Sequence, residues 1–75
     1  MSQPTKVLNV ILRISRLKEK TGLSESTLYN KLNPRSKYFD QDFPKPIRLG
    51  SGSVGWIEAE VDTWIMSRAE LRSDV

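Results

Sequence analysis

Two small residues, Gly22 and Ser24, constrain the fold of this chain more than any other feature of its sequence. Glycine ends a helix in the left-handed conformation without steric cost, and serine is a preferred residue at the start of a helix. Ser24 is followed by Glu25, whose negative charge favours the positive end of the helix dipole. The pattern therefore predicts a helix over residues 25–32, which ends before Pro34.

A shorter helical segment precedes this one. Ser15 is a candidate N-cap, which predicts a helix over residues 16–20 that stops at Gly22. A short helix, a three-residue turn at 21–23 and a second helix together predict a helix-turn-helix. Four leucines of this unit are expected to face the core: Leu17, Leu23, Leu28 and Leu32.

The rest of the chain predicts strands around a glycine-rich turn, followed by a C-terminal helix. The predicted bounds are strands within 6–13 and at 47–49 and 54–57, a turn at 50–53, and a helix from 58 to about 71. Residues 1–75 then form one α+β domain that is mainly helical, a small winged helix-turn-helix with three helices and a two- or three-stranded antiparallel sheet. We expect the ends, 1–6 and 72–75, to be disordered.

Aromatic side chains are expected to supply most of the core. Trp56 and Trp64 are the largest of them. Tyr38, Phe39 and Phe43 lie in the irregular link between the second helix and the hairpin. Their rings could stack on nucleic-acid bases, but rings in such a link more often pin it to a small core, so we expect them to pack.

The composition excludes several kinds of site. The 75 residues contain no Cys and no His, so disulfides, the usual zinc ligand sets and imidazole-based catalysis are ruled out. Three carboxylates at the start of the last helix, Glu58, Glu60 and Asp62, are more typical of dipole compensation than of a metal site. The Gly-Ser turn lacks the Lys-Ser/Thr ending of a phosphate-binding loop. We expect no enzyme activity, no cofactor and no metal.

The N-terminal segment has the features of neither a signal peptide nor a membrane span. Its apolar run, residues 7–12, is short and is interrupted by Asn9. We therefore expect a cytoplasmic protein that does not enter a membrane.

Charge is distributed unevenly along the chain, although the formal net charge is only +3. Residues 1–48 contain ten cations and four anions, for a net charge of +6. Residues 49–75 contain two cations and five anions, for a net charge of −3. This asymmetry favours a polyanion bound by one face of the molecule, although a scattered, solvated surface would have the same composition.

The outward face of the second helix carries hydrogen-bonding groups and little charge, which suits contacts to the edges of bases. Asn30 could bond adenine through two hydrogen bonds, and the methyl group of Thr27 could touch that of thymine. Thr27 could instead pack partly against the first helix. The candidate base contacts are Ser26, Thr27 and Asn30.

Short motifs follow one another in a recognisable order: GLS at 22–24, STLY at 26–29, FPKP at 43–46, LG at 49–50, GW at 55–56 and DTWI at 62–65. In this order and spacing, residues 11–67 resemble the AlpA-type phage regulators, small members of the MerR-like and excisionase-like winged helix DNA-binding proteins. There are two departures. Asn30 and Lys31 stand where the family commonly has an arginine, and the link 33–40 is longer than in many members.

The resemblance implies a sequence-specific DNA-binding regulator of transcription encoded in a prophage, or alternatively an excisionase-like factor that bends DNA. By position, residues 24–32 would enter the major groove, and the wing, residues 47–56, would lie along the neighbouring backbone or minor groove. The implied partner is double-stranded DNA, with a second copy, an integrase or RNA polymerase beside it. A less favoured alternative is a protein-interaction domain that uses Tyr38, Phe39 and Phe43, because such a partner gives no reason for the basic N-terminal part.

The remaining candidates would contact the DNA backbone. Ser24 lies at the amino end of the second helix, and Tyr29 offers a hydroxyl, although its ring could simply pack. Ser51 and Ser53 belong to a turn that could approach the backbone closely. The cationic candidates are Arg16, Lys31, Arg35, Lys37, Lys45 and Arg48. Arg48 could also reach a narrow minor groove.

Overall fold

The computed structural model describes residues 10–72. Within them the elements are β1 (Ile11–Leu12), α1 (Ile14–Thr21), α2 (Glu25–Leu32), β2 (Ile47–Gly50), β3 (Ser53–Ile57) and α3 (Glu58–Glu70). The three strands form an antiparallel sheet in the order β1-β3-β2. The prediction of a small α+β winged helix-turn-helix is confirmed. The expected disorder at 1–6 and 72–75 falls outside the described residues, apart from Arg72, which is exposed beyond α3.

The turn between α1 and α2 is built as the sequence predicts. Gly22 adopts the left-handed conformation, with φ of 73°, and its N–H bonds the carbonyl of Lys18 at 2.8 Å. Thr21 Oγ1 donates to the carbonyl of Leu17 at 2.8 Å and accepts the N–H of Leu23 at 3.2 Å. These bonds satisfy the groups that a helix end exposes and fix the direction in which α2 departs.

The start of α1 differs from the prediction. The helix begins at Ile14 instead of residue 16, and the N-cap is Arg13, which makes no side-chain capping bond. The carbonyl of Arg13 accepts the N–H of Leu17 at 2.9 Å, so the first helical turn begins before Ser15 and contains it. Ile14 packs against the core. This burial compensates for a missing cap, which costs only about 1 kcal/mol.

The wing is a hairpin of β2 and β3. Arg48 lies opposite Val54 and Gly50 opposite Ser53, with an irregularity in register between them. The turn is therefore shorter than predicted, because Gly50 and Ser53 belong to the strands. Gly52, with φ of 75°, provides the left-handed residue that the turn needs.

β1 pairs with the edge of the central strand β3 that lies opposite β2. Ile11 lies opposite Ile57 and Leu12 opposite Trp56. The described part of the predicted strand within 6–13 is confined to these two residues, and positions 6–9 fall outside the described residues.

The core lies between the helix-turn-helix, the sheet and α3. Its buried members are Leu12, Leu17, Leu28, Phe43, Trp56, Val61 and Trp64, and Ile14, Leu23, Leu32 and Ile65 pack against them. The inward direction predicted for the four leucines and for both tryptophans is confirmed.

The aromatic residues of the link do not behave alike. Phe43 is buried and meets the Trp64 ring edge-on, with centroids 4.9 Å apart. Tyr38 and Phe39 are 59% and 39% exposed, so the expectation that they pack into the core was wrong. Polar and backbone hydrogen bonds order this part of the link, so burial of these two rings is not required.

An ion-pair cluster joins the end of α1 to the start of α3. Lys20 Nζ lies 3.0 Å from Glu58 Oε2 and 2.7 Å from Asp62 Oδ1. The hydrogen bond to Asp62, followed by that to Glu58, raises the pKa of Lys20 above its ordinary value. Two of the three carboxylates at the helix start therefore have a cationic partner on another helix.

Candidate nucleic-acid interface

The amino end of α2 is held by a small hydroxyl network. Ser24 Oγ accepts the N–H of Thr27 at 3.2 Å and donates to Thr27 Oγ1 at 2.9 Å. Ser26 Oγ lies 3.4 Å from the same serine oxygen. The hydroxyl of Ser24 thus caps the helix. Thr27 is half-buried, and its hydroxyl oxygen already accepts one hydrogen bond, from Ser24. These contacts pre-organise the helix end and leave the hydroxyl of Ser26 exposed.

The outward face of α2 carries the candidates that the sequence indicated. Ser26 is exposed, and Tyr29 is 45% exposed, so its ring does not pack into the core. Asn30 is half-buried and lines a shallow depression of about 330 Å³ together with Thr27, Lys31 and Tyr38. Thr27 and Asn30, two of the three candidates for base contact, therefore share one concave surface. Ser26 is exposed outside it.

The cationic candidates fall into two groups. Arg35, Lys37, Lys45 and Arg48 are exposed and form no ion pair within residues 10–72. Arg16 Nε lies 4.0 Å from Glu19 Oε1, and Lys31 is half-buried with its ammonium 5.5 Å from the centroid of the Trp64 ring. The four cations of the first group are exposed and without a carboxylate partner among the described residues, whereas Arg16 lies beside a carboxylate and Lys31 is half-buried against Trp64.

The wing presents a small polar tip and a partly apolar surface. Ser51 is exposed at the tip, and Ser53 is half-buried beside it. Leu49 and Val54 are 45% and 36% exposed on the two strands, close to Arg48. A wing of this shape can approach a sugar–phosphate backbone closely, because its tip carries no bulky side chain.

An acidic residue of the link is turned away from this surface. Asp40 Oδ2 accepts Trp64 Nε1–H at 3.0 Å, and its Oδ1 accepts the N–H of Asp42 at 2.9 Å. Burial acts to raise the pKa of Asp40, but these two hydrogen bonds, helped by the charges of Arg68 and Lys31, outweigh it and lower the pKa. The carboxylate therefore stays ionised and is committed to the junction between the link and α3.

Sequence reasoning missed the position of Tyr38. Its ring was expected to pack, yet it is exposed and borders the depression in front of α2. The signal available in the sequence was the set of turn-forming residues around it, Asn33, Pro34 and Ser36, which can order a loop without a buried ring.

Residues 10–72 contain no group of three or more carboxylates placed to hold a metal ion. None of the helices in this part of the chain has the length and apolar character needed to cross a membrane.

The family model described as "Prophage CP4-57 regulatory protein (AlpA)" matches residues 10–69. This chain belongs to the AlpA family. The resemblance drawn from its motifs is confirmed, and the matched range contains α2, the link and the wing. Every candidate contact residue thus lies in the family's common region.

Two curated proteins are similar to this chain over most of its length. The chain is 49% identical over 61 residues to the "DNA-binding transcriptional activator AlpA" of Escherichia coli (strain K12), an alignment that covers 81% of this chain and 87% of the relative. It is 32% identical over 57 residues to the "Uncharacterized protein ORF88" of Enterobacteria phage P4, covering 76% of this chain and 58% of that protein. No solved structure matches the chain.

Proposed function

We propose that this AlpA-family chain is a sequence-specific DNA-binding regulator of transcription. In this proposal α2, capped by Ser24, enters the major groove. The wing, residues 47–56, lies along the adjacent backbone or minor groove. The proposed activity is binding, not catalysis, in the cytoplasm.

The observation that carries the proposal is the exposed face of α2. It offers a hydroxyl from Ser26 and an amide from Asn30 next to a concave surface, and within residues 10–72 no hydrogen bond occupies the side-chain amide of Asn30. Base edges in the major groove present donors and acceptors that an amide and a hydroxyl can satisfy directly. A surface shaped only for solubility would carry more charge.

The exposed cations support the same proposal. Arg35 and Lys37 lie in the link that follows α2, Lys45 lies just before β2, and Arg48 lies on β2 opposite Val54. Exposed cations that follow α2 along the chain suit a duplex, because phosphates border the groove that such a helix would enter.

The relative from Escherichia coli supports a role in transcription. It is named as a DNA-binding transcriptional activator, and nearly half of the aligned residues are identical. On this ground we favour transcriptional regulation over excisionase-like bending. A circular-permutation assay distinguishes the two roles. If the protein bends DNA, the mobility of the complex depends on where the binding site lies in the DNA fragment.

The test is binding of the purified protein to DNA by fluorescence anisotropy. A duplex enriched from a random library with the parent protein serves as the specific probe, and a scrambled duplex as the non-specific one. Asn30→Ala should lower the ratio of specific to non-specific affinity by about 1–3 kcal/mol and leave non-specific binding nearly intact. Thr63→Ala, an exposed polar substitution on α3, is the matched control.

Two results would contradict the proposal. The first is the absence of binding to either duplex even at low salt. The second is an unchanged specificity ratio in Asn30→Ala, which would place the recognition surface elsewhere.

A domain of this size contacts few base pairs, which limits the specificity of a single copy. We therefore propose that it binds beside a second copy or beside a neighbouring DNA-bound protein, RNA polymerase or an integrase. Sedimentation of the protein with and without the enriched duplex measures the number of copies bound, and one copy per duplex would leave only the neighbouring protein.

A further inference from the structure

The link between α2 and β2 begins with a compact loop, residues 33–39, which its own polar groups hold in shape. Asn33 Oδ1 accepts the backbone N–H of Arg35 at 3.0 Å, and Ser36 Oγ accepts that of Tyr38 at 3.0 Å. The N–H of Ser36 also bonds the carbonyl of Asn33 at 2.9 Å. Turns of this kind order a loop without burying apolar side chains.

This 33–39 loop is anchored immediately after its last residue. The backbone N–H of Asp40 bonds the carbonyl of Lys31 on α2 at 3.0 Å, and its carboxylate accepts the indole N–H of Trp64 on α3. Both anchors act at one residue, so the loop is fixed relative to α2. An ordered segment pays little conformational entropy when it binds a ligand.

Charges of opposite sign are separated across this region. Arg35 and Lys37 are exposed and have no carboxylate partner in the part of the chain that the structure describes. Asp40 is turned toward Trp64, and Asp42 lines a different groove, of about 640 Å³, against α3. The cations of the loop are therefore left to solvent or to an external anion.

Tyr38 lies where this loop meets α2. Its side chain is 59% exposed, and the ammonium of Lys37 lies 5.2 Å from the centroid of its ring. The same ring borders the depression that Thr27, Asn30 and Lys31 also line. A phenolic hydroxyl can donate to a phosphate oxygen, and an ammonium beside it adds charge to the same contact.

We propose that the 33–39 loop is a third DNA-contacting element beside α2 and the wing, in which the Tyr38 hydroxyl donates to a backbone phosphate next to the groove segment that α2 occupies. Lys37 neutralises that phosphate or its neighbour. The inference rests on the proposed DNA-binding function. It accounts for a large aromatic side chain that the fold leaves in solvent on a rigid loop, next to the recognition helix.

The test compares the parent with Tyr38→Phe, which removes only the hydroxyl, and with Tyr38→Ala. Met66→Ala is the matched control, since Met66 on α3 is also 59% exposed. The probes are a fluorescein-labelled duplex of roughly 25 base pairs, enriched from a random library with the parent, and a scrambled duplex of the same length. Tyr38→Phe should weaken binding to both about tenfold, with the specificity ratio unchanged, because a phosphate contact carries no sequence information. Met66→Ala should bind like the parent.

Hydroxyl-radical footprinting places the contact. The parent should protect sugars at one edge of the groove segment occupied by α2, and Tyr38→Ala should lose that protection while the protection given by the wing remains. Lys37→Met should lower the magnitude of the slope of log affinity against log salt by about one.

Each outcome has a definite meaning. Tyr38 variants that bind and protect DNA like the parent would overturn the loop contact and leave the proposed function standing. A specificity ratio that falls together with affinity would overturn the assignment to a phosphate, because the contact would then be to a base. A parent that binds neither duplex at low salt, about 50 mM, would overturn both proposals.

Discussion

Trp56 and Trp64 look alike in the sequence but have different environments in the fold. Trp56 is completely buried, and its indole N–H has no acceptor within residues 10–72. Trp64 lies at the edge of the core, where its N–H bonds Asp40 and the cations of Lys31 and Arg68 lie over its ring at 5.5 and 5.8 Å. Trp64 thus connects α3 to the link and to α2. The residue type and its position in the sequence do not predict these contacts.

Replacing Trp64 should be severely destabilising. Trp64→Ala removes a buried ring, its edge-on contact with Phe43 and its hydrogen bond to Asp40, so we expect a loss of about 3–5 kcal/mol in the free energy of unfolding. That is a large share of the stability typical of so small a domain. Urea unfolding followed by circular dichroism measures it. Met66→Ala, an exposed change on the same helix, should stay within about 0.5 kcal/mol, and a Trp64→Ala protein as stable as the parent would contradict the burial.

The Asp40 carboxylate should make stability depend on acid pH. Its pKa in the folded protein lies below the ordinary value of 3.8, because its hydrogen bonds and nearby cations outweigh burial. The ionised form therefore contributes its full stabilisation above the ordinary value, and this is lost as pH falls through the lower folded pKa.

In Asp40→Asn this acid-dependent part of the stability should be absent. The measurement is the urea midpoint of parent and variant at a series of pH values from about 6 down to about 2. The midpoint difference between the two proteins should shrink as pH falls. A constant difference across this range would show that the carboxylate charge does not contribute.

At the scale of elements, local signals predicted α2 better than α1. The cap of α2 is formed by Ser24, which accepts the N–H of Thr27 three positions later. Residues close in sequence are therefore enough to predict the start of this helix. The start of α1 depends on Ile14, which is half-buried against a core that segments from the whole described chain build. Burial of one aliphatic side chain contributes more than a serine cap, and so it moves the start of the helix.

The sheet needs a glycine at position 55 for lack of space around it, whereas the turns need Gly22 and Gly52 for their positive φ. A Cβ at Gly55 would lie 2.5 Å from Ile11 Cγ2 and 3.2 Å from both the Leu12 carbonyl oxygen and Leu49 Cδ1. The methyl group of a β-branched residue cannot move away freely. The bare backbone at Gly55 therefore lets β1 and β2 lie close on either side of β3.

Gly55→Ala should destabilise the protein by about 1–3 kcal/mol, because it overpacks this junction. Gly50→Ala is the matched control in the same hairpin, since a Cβ there meets nothing within 4 Å and the backbone φ is not positive. Thermal unfolding of both variants measures the difference. Equal melting temperatures would show that the sheet relaxes around the added methyl group.

Across the whole molecule, the charges that the sequence separates along the chain are partly paired in space. Lys20 belongs to the basic N-terminal part, yet it is bound to Glu58 and Asp62 of the acidic part. Within residues 10–48, the exposed cations without a carboxylate partner among the described residues are Arg13 and Lys18 at α1, Arg35, Lys37 and Lys45 in the link, and Arg48 on β2. The net charge of +6 for residues 1–48 therefore overstates what a polyanion would meet.

The salt dependence of DNA binding should reflect this smaller set. With about five phosphate contacts, log affinity should fall against log salt with a slope of about −4 to −5. Lys45→Gln should reduce the magnitude of that slope by about one, because Lys45 is exposed and without an ion-pair partner among the described residues. Lys20→Gln removes the same charge from a paired position and should leave the slope nearly unchanged. Equal changes of slope in Lys45→Gln and Lys20→Gln would contradict the distinction between unpaired and paired cations.

The sequence by itself determined the order of elements, the left-handed turn at Gly22, the cap at Ser24 and the family. These features depend on residues a few positions apart, or on motifs whose spacing is visible along the chain. The tertiary structure decided which aromatic residues are buried, that Tyr38 borders the depression in front of α2, and that Lys20 is neutralised by α3. Burial and ion pairing depend on which distant segments meet, and the packing of the whole chain sets that.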